Sequence, residues 1–486
     1  MWRHQRRPYI SEVGLDISGI DQQADLQEEA TSVLDSGSKT SLESPQLGIW
    51  DLAWPAILGN LLFAVIGIVS IKIVGSLGAE AVAAVTTGHR IFFALQAVLM
   101  AVSAGTAALV ARAFGARDHL EAAHITSISL WIGNLVAFVL MLPCIIFAEP
   151  IAGVFGLDEE TTSQAADFIR YLSLFNVAFS INLILGASLR AAGDTKTPLW
   201  VGAAINVVNV VFVYLLVFGL YGFPEMGVVG AAVANGLSYI AGAVILLYLW
   251  YGKKLLVGVG GRGSITFRRV QQLVHIGYPA AIEQFVFQVG FVAFLWLVGF
   301  YGTEAFAAYG IGVQILSISF VVGFGFSIAG ATLVGQHLGA KDPDGAVVQG
   351  WRATGLAIAS MTALGLIIAV LAKDIAWYLI HDEKVVRHTV TFIYIMAIAQ
   401  PLMAIEFTMG GCLRGAGDTR FPLVATMVGL IGVRVGLAVL FTYLELDVGW
   451  IYGALIGDYL IKCIMIIHRF RSGKWKQIFQ DTEDRF

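Results

Sequence analysis

The sequence predicts an all-α integral membrane protein, its twelve transmembrane helices arranged as two pseudo-symmetric six-helix bundles. Three observations predict it. The 486 residues are 57% hydrophobic and only 13% charged, with a mean hydropathy of +0.78, where soluble domains carry about 25% charge. Long stretches almost free of charge recur at the length a helix needs to cross a bilayer. The second half also repeats the first at a fixed offset. LRAAGDTKTPL at 189–199 returns as LRGAGDTRFPL at 413–423, with eight of eleven letters the same and 414 − 190 = 224 residues between them.

Residues 1–47 differ from the rest, with eight Asp or Glu against four Lys or Arg. No apolar run follows Arg3, Arg6 and Arg7, so the segment is not a secretory signal. It is expected to be a disordered cytoplasmic tail. The first lobe, 48–252, holds helical runs at roughly 49–73, 80–112, 120–148, 161–190, 196–219 and 226–251. A basic linker, 253–269, joins it to the second lobe on the cytoplasmic side. That lobe, 270–470, holds runs at roughly 270–300, 304–336, 344–371, 385–413, 420–443 and 449–469, and 471–486 is a cytoplasmic tail. Runs longer than the roughly 20 residues of a span are expected to extend into water or to bend at Gly and Pro.

The loops set the direction. One set carries Arg112 and Arg117, Arg190 and Lys196, the linker's Lys253, Lys254, Arg262, Arg268 and Arg269, then Lys341, Arg414 and Arg420. The C-terminal end adds Arg469, Arg471, Lys474 and Lys476. The alternate loops carry Glu80, Glu149 with Asp158 to Glu160, Glu225, Glu304, and Glu445 with Asp447; only the loop near 373–387 mixes signs. Basic loops stay in the cytoplasm. Both termini are therefore expected inside, in a multi-pass protein of the cytoplasmic (inner) membrane with an even number of spans.

The repeat extends well beyond the motif. At the same offset Pro55 meets Pro279, Gly75 and Gly78 meet Gly299 and Gly302, Glu80 meets Glu304, Gly115 meets Gly339, and Asp118 meets Asp342. Six spans per half is an even number, so both halves enter the membrane in the same direction. Parallel repeats of this kind place a substrate site between the bundles near the midplane, with access alternating as one bundle rocks on the other. The motif joins the fourth and fifth span of each half. Gly193 and Gly417 can take positive φ and end a helix. Asp194 and Asp418, or the Thr that follows each, can cap the next, and Pro198 and Pro422 suit its first turn.

With these residues on view the sequence resembles the multidrug and toxic compound extrusion family of cation-coupled antiporters. LRAAGDTKTP at 189–198 and LRGAGDTRFP at 413–422 carry the likeness, with AWP at 53–55, VGSLGAEAVAA at 74–84, ATLVGQHLGAKDP at 331–343 and RFRSGKWK at 469–476. It runs from about 48 to 476. The resemblance implies two six-helix lobes and export of drug-like cations against Na+ or H+ by rocker-switch alternating access. The chain also departs from the family. One branch pairs an acid in span one with Asn-x-x-x-Asp in span five. Here Ser70 stands at the first position, and Asn209 is followed four residues later by Val213. That carboxylate site is largely missing.

An antiporter needs a group that holds either the driving ion or the cargo. A carboxylate in a low-dielectric cavity serves, because burial makes it take up protons readily. A lone charge in a span costs roughly 2.5–3.5 kcal/mol, so it marks a function or a partner. Glu283 in PAAIEQFVFQVG, Glu406 in MAIEFTMGGCLR and Asp458 in YGALIGDYL are the candidates for ion coupling. Gln284 and Gln288 add acceptors, Arg434 is the partner expected for Asp458, and Asn209 and Asn182 are the polar remnants of the first lobe. Asn182 is the repeat mate of Glu406. Glu283 and Glu406 are also the candidate Na+ ligands. Phe287, Phe291, Trp296 and Tyr309 are candidate walls of a drug cavity through cation–π contact.

Other classes fall away. The net charge of −4 is too small to point to nucleic acid. Cys144, Cys412 and Cys463 give neither a disulfide framework nor a metal spacing. GAGDTK lacks the Walker A spacing. No G-x-S-x-G elbow occurs, so no enzyme activity and no cofactor beyond Na+ or H+ as coupling ion is expected. The expected partners are small organic compounds, cationic or amphipathic, and membrane lipid, with the protein a monomer. The alternative reading is a lipid-linked oligosaccharide flippase of the related superfamily. That reading needs a cationic cavity for pyrophosphate, for which Lys72, His89, Arg90 and Arg434 are candidates.

Overall fold

A computed structural model describes residues 48–261 and 265–478. The expected disordered tail at 1–47, linker residues 262–264 and the end of the C-terminal tail at 479–486 lie outside the described residues. In the first half, α1 is Ile49–Gly75, α2 Ala79–Leu95, α3 Ala97–Gly115, α4 His119–Ile146, α5 Ala148–Gly153, α6 Glu159–Ser173, α7 Asn176–Ala191, α8 Lys196–Phe218 and α9 Gly227–Tyr251. In the second, α10 is Phe267–Gly299, α11 Thr303–Gly339, α12 Pro343–Val370, α13 Ala372–Leu379, α14 Glu383–Gly415, α15 Arg420–Tyr443 and α16 Val448–Arg471. No strand occurs among the described residues.

Eleven of these helices are long and apolar enough to cross a membrane, and α6 with α7, bent by 57° at their junction, make a twelfth span. All three cysteines are buried. Trp131, Trp200 and Trp296, by contrast, are 68%, 73% and 66% exposed, on an apolar outer surface that only lipid would cover favourably.

The repeat is present in the backbone as well as the letters. Asp118 and Asp342 cap α4 and α12, each accepting the backbone N–H three residues on at 2.8 Å. The Gly345 N–H and neighbouring His337 hold the Asp342 carboxyl below the usual carboxylate range. Left-handed residues recur at the same offset: Gly78 with Gly302, Gly193 with Gly417, and the non-glycines Arg117 (φ 59°) with Lys341 (φ 58°). In the duplicated motif Asp194 accepts the Thr197 N–H at 2.9 Å and Asp418 the Phe421 N–H at 3.3 Å, closing the turns read from the sequence.

The halves differ in three places. The second span breaks at Gln96 and the fourth at Leu174–Phe175, whereas their mates α11 and α14 run unbroken. The two breaks are joined, since Gln96 Nε2 donates to Asn176 Oδ1 at 2.7 Å and Asn176 Nδ2 to the Ala137 carbonyl at 2.9 Å. Span eleven, in turn, widens into a π-helical segment over Met427–Val435, while its mate α8 is regular. Such widened turns concentrate at functional sites, and this one carries Arg434.

The first half packs on the second through one contact made twice. α1 lies on α11, and α10, the mate of α1, lies on α3. The closest approach is near the basic loops. A Cβ on Gly115 would strike the Gln336 carbonyl, and one on its mate Gly339 would strike the Arg112 carbonyl. Across the same end Gln336 Nε2 donates to the Ala191 carbonyl at 2.9 Å and Thr332 Oγ1 to that of Arg190 at 3.0 Å. Arg269 binds Glu121 through two bonds of 2.8 and 2.5 Å. The basic end of the inter-lobe cleft is closed.

Gly115→Val is expected to force α3 from α11 at an overpacking cost of about 1–3 kcal/mol. It should lower the melting temperature of the detergent-purified protein by several degrees. Gly355→Ala, whose Cβ would meet nothing within 4 Å, should leave the melting temperature unchanged or raise it slightly.

Candidate substrate cavity and charge network

Away from the closed end, a cavity of about 550 Å³ lies between the halves. Its walls are largely aromatic. Phe287 and Phe291 of α10, Tyr309 and Phe320 of α11, Phe93 of α2 and Tyr459 of α16 all line it. The phenylalanines and Tyr309 named from the sequence are cavity walls. Trp296 is not among them; it meets Phe300 edge to face with centroids 4.7 Å apart and is exposed on the outside of the bundle. The alternation of a helix put it on the other face.

The lining residues with a basic side chain are the arginines Arg90 of α2 and Arg434 of α15 and the histidine His89 of α2. His89 packs against Phe168 with centroids 5.0 Å apart. Arg434 forms an ion pair with Asp458, as expected, and its guanidinium lies 5.3 Å from the Tyr459 ring and 5.8 Å from that of Phe294. Asp458 is fully buried. Its other oxygen lies 3.1 Å from Lys462 Nζ, which is also 3.1 Å from Glu406 Oε1. Arg434, Asp458, Lys462 and Glu406 thus form a line of alternating charge running back from the cavity wall through α15, α16 and α14. Two cations and two anions sum to zero, the condition under which buried ions are tolerable. One acceptor is left over, because Glu406 Oε2 has no partner among the described residues.

Lys462 was not singled out in the sequence. It follows Asp458 by four residues, a spacing that puts both on one helix face. That was the signal available.

Glu283 lies elsewhere. Its carboxylate takes Arg414 Nη2 at 2.6 Å and the Thr426 hydroxyl at 3.2 Å. Arg414, read from the sequence as a marker of the cytoplasmic end, instead turns back along its own helix to meet this acid. A helical side chain leans towards the N-terminus of its helix, and that carries the Arg414 guanidinium inwards. Glu283 and Glu406 therefore do not share one formed cation site. Each holds its own base, which a sodium ion would have to displace, and no cluster of three His, Cys, Asp or Glu able to hold a metal occurs among the described residues.

Gln288 lines the cavity, whereas Gln284 is half-buried and is not among its walls. In the first half, Asn209 Nδ2 donates to Asn235 Oδ1 at 2.7 Å and Ser70 Oγ donates to Asn209 Oδ1 at 3.2 Å, a neutral relay across α1, α8 and α9. Asn182 donates to the Ala178 and Tyr239 carbonyls, both at 2.8 Å, and so ties α7 to α9. Where the second half keeps charges, the first keeps amides.

In sequence and in fold the chain is similar to known proteins. The family model described as MatE matches twice, over residues 55–215 and 279–440, start points 279 − 55 = 224 residues apart. The probable multidrug resistance protein NorM of Thermotoga maritima is 31% identical over 89% of this chain and 94% of its own length. The multidrug resistance protein NorM of Burkholderia vietnamiensis is 28% identical over 79% of this chain and 84% of its own. In fold the chain is similar to a solved outward-facing multidrug resistance MATE family transporter of the MOP superfamily. That match has a TM-score of 0.82 at 19% identity and covers 88% of this chain and 96% of the other.

Lys462→Met leaves Glu406 without its base and is expected to cost about 3–5 kcal/mol, the usual penalty for breaking a buried pair from one side. Adding Glu406→Gln restores neutrality and should recover most of the lost stability. Thermal unfolding of the two single variants and the double variant measures both effects; additive losses would show that the pair is not coupled.

Proposed function

The chain belongs to the MatE, or multidrug and toxic compound extrusion, family of transporters, and from that premise we propose that it is a secondary active multidrug exporter. It passes small organic compounds outwards in exchange for H+ or Na+. The observation that carries this reading is the ring-lined cavity between the halves, shut at the basic end and joined by Arg434 to a neutral charge network. With the basic loops in the cytoplasm, the closed end faces inwards and the protein sits in the inner membrane with both termini inside.

The sign of the coupling follows from the network. With Glu406 ionised the four groups sum to zero. A proton on its free oxygen, Oε2, leaves one net positive charge shared with Lys462 and Asp458 behind Arg434. That charge disfavours an organic cation against the ring faces, so proton and cargo exclude each other as an antiporter requires. A proton fits the geometry better than sodium does, since each candidate carboxylate already holds an ammonium or guanidinium group. Cationic or amphipathic aromatic compounds suit the walls, and an amphipathic cargo that also bears an acidic group would meet Arg90. A flippase for pyrophosphate-linked lipids would need several free cations. Of the two arginines in the wall Arg434 is already bound to Asp458, and Arg90 alone has no ion pair among the described residues.

In proteoliposomes an imposed proton gradient is expected to drive efflux of an aromatic dye cation, and Glu406→Gln to reduce that efflux at least tenfold while dye binding persists. Efflux indifferent to both proton and sodium gradients would refute the exporter reading. Unimpaired efflux in Glu406→Gln would remove only this residue's role.

A further inference from the structure

The two halves place the same arginine at the same point and give it different company. Arg414 of α14 binds the Glu283 carboxylate, with the Thr426 hydroxyl on the same oxygen. Its repeat mate is Arg190 of α7. At the positions of Glu283 and Thr426 the first half has Gly59 and Gly202.

Both guanidiniums follow the same path. A Cβ placed on Gly410 would lie 3.3 Å from Arg414 Nη1, and one on its mate Gly186 would lie 3.1 Å from Arg190 Nη1. Arg190 is at the C-terminal end of its helix, beside the basic loops. A side chain reaching for water would extend forwards past the helix end. This one turns back into the span, towards the place that Glu283 occupies in the other half.

Room is left there. A Cβ on Gly202 would meet nothing within 4 Å, and one on Gly59 only Leu199 Cδ1 at 3.8 Å. No carboxylate among the described residues pairs with Arg190, and it has no ion pair beyond those described. A guanidinium does not shed its proton in a protein. A half-buried, permanently charged group with no carboxylate partner among the described residues calls for an oxyanion to answer it.

We propose that Arg190, with Gly59 and Gly202 as its floor, binds an oxyanion the size of a carboxylate. The anion supplies in the first half what Glu283 supplies in the second, so each lobe holds one guanidinium–oxyanion pair at the same depth. The second half carries its anion covalently, as a side chain. The first leaves the place to a ligand, either a small carboxylate or phosphate from solution or the phosphate of an anionic lipid headgroup. Arg–oxyanion pairs are commonly bidentate, and two glycines let an oxyanion come close to the helix backbones. The site is separate from the inter-lobe cavity, whose walls include none of these three residues.

The test uses the full-length protein, purified and delipidated in a non-ionic detergent. Melting temperature is measured against sodium acetate, sodium phosphate or phosphatidylglycerol at fixed ionic strength, with gluconate and phosphatidylcholine as controls. A ligand that binds only the folded state raises the melting temperature with concentration. The expected result is a rise of several degrees with at least one of the three oxyanions and no rise with either control. A rise with the salts assigns the site to soluble anions, and a rise with the lipid alone to a headgroup. Arg190→Gln is expected to abolish the response. Gly59→Glu, which installs the second half's own carboxylate, should also abolish it while melting at or above the ligand-saturated wild type; that gain rules out mere misfolding. No anion response in the wild type, or an unchanged response in Arg190→Gln, would overturn the proposal.

Discussion

A charge inside a span must be answered by an opposite charge nearby, and that constraint orders the second half of this molecule. Glu283, Glu406 and Asp458 each sit against a base: Arg414, Lys462, and Arg434 with Lys462. Of these four pairs only Asp458 with Lys462 is close in sequence. Satisfying the charges therefore fixes how α10, α14, α15 and α16 stand to one another. Hydrophobic contact in lipid does not do this, because lipid tails are as apolar as the side chains they would replace. Polar bonds and close backbone approach remain to specify the packing. The glycine crossing of α3 with α11 provides the second of these, and the charge line provides the first.

The first half solves the same packing problem without charge. Asn209, Asn235 and Ser70 form a neutral relay, and Asn182 ties α7 to α9 through two backbone carbonyls. The four-group charge line behind the cavity thus lies in one lobe, while the Asn209 relay of the other is neutral. The π-helical segment belongs to this asymmetry. The widened turn lies in the span that presents Arg434 both to Asp458 and to the cavity, and its regular mate α8 presents Asn209 to other amides.

Most of the fold was legible in the sequence, because each part of it is written locally. Span length, loop charge and the 224-residue offset are properties of short windows. The capping aspartates and the left-handed Gly193 and Gly417 follow from turn chemistry. The bend between α6 and α7 was not legible, since nothing in Leu174–Phe175 breaks a helix by itself and the mate α14 runs straight through. The site was half legible. Acids in apolar runs announce themselves, and Arg434 was the evident partner for Asp458. The direction of Arg414 was not evident, because an arginine at a basic helix end has the same letters whether it points to water or back into the span. Lys462 was hidden for a related reason: a single lysine near the basic end of a span has the same letters whether it snorkels to the membrane surface or pairs with an acid inside.

The closing contacts and the charge line do not touch, so a signal between them needs a carrier. α11 is placed for it. Its basic end meets α3 at the glycine crossing, α1 lies on it at Gly325, Tyr309 and Phe320 line the cavity, and along its length it packs on α14, which bears Glu406. Gln400 of α14 also donates to Ser319 of α11 at 2.8 Å, a side-chain bond close to that cavity wall. Under the proposed proton coupling, a change of charge at Glu406 would alter how α14 sits against α16, since its partner Lys462 belongs to α16. α11 cannot follow that change without altering either the cavity wall or the crossing at Gly339. The crossing tolerates no small adjustment, because backbone meets backbone there with no side chain between to give way. It is either closed or parted. An interface with two such states is the kind of element through which the proposed proton coupling would open the cleft by turns.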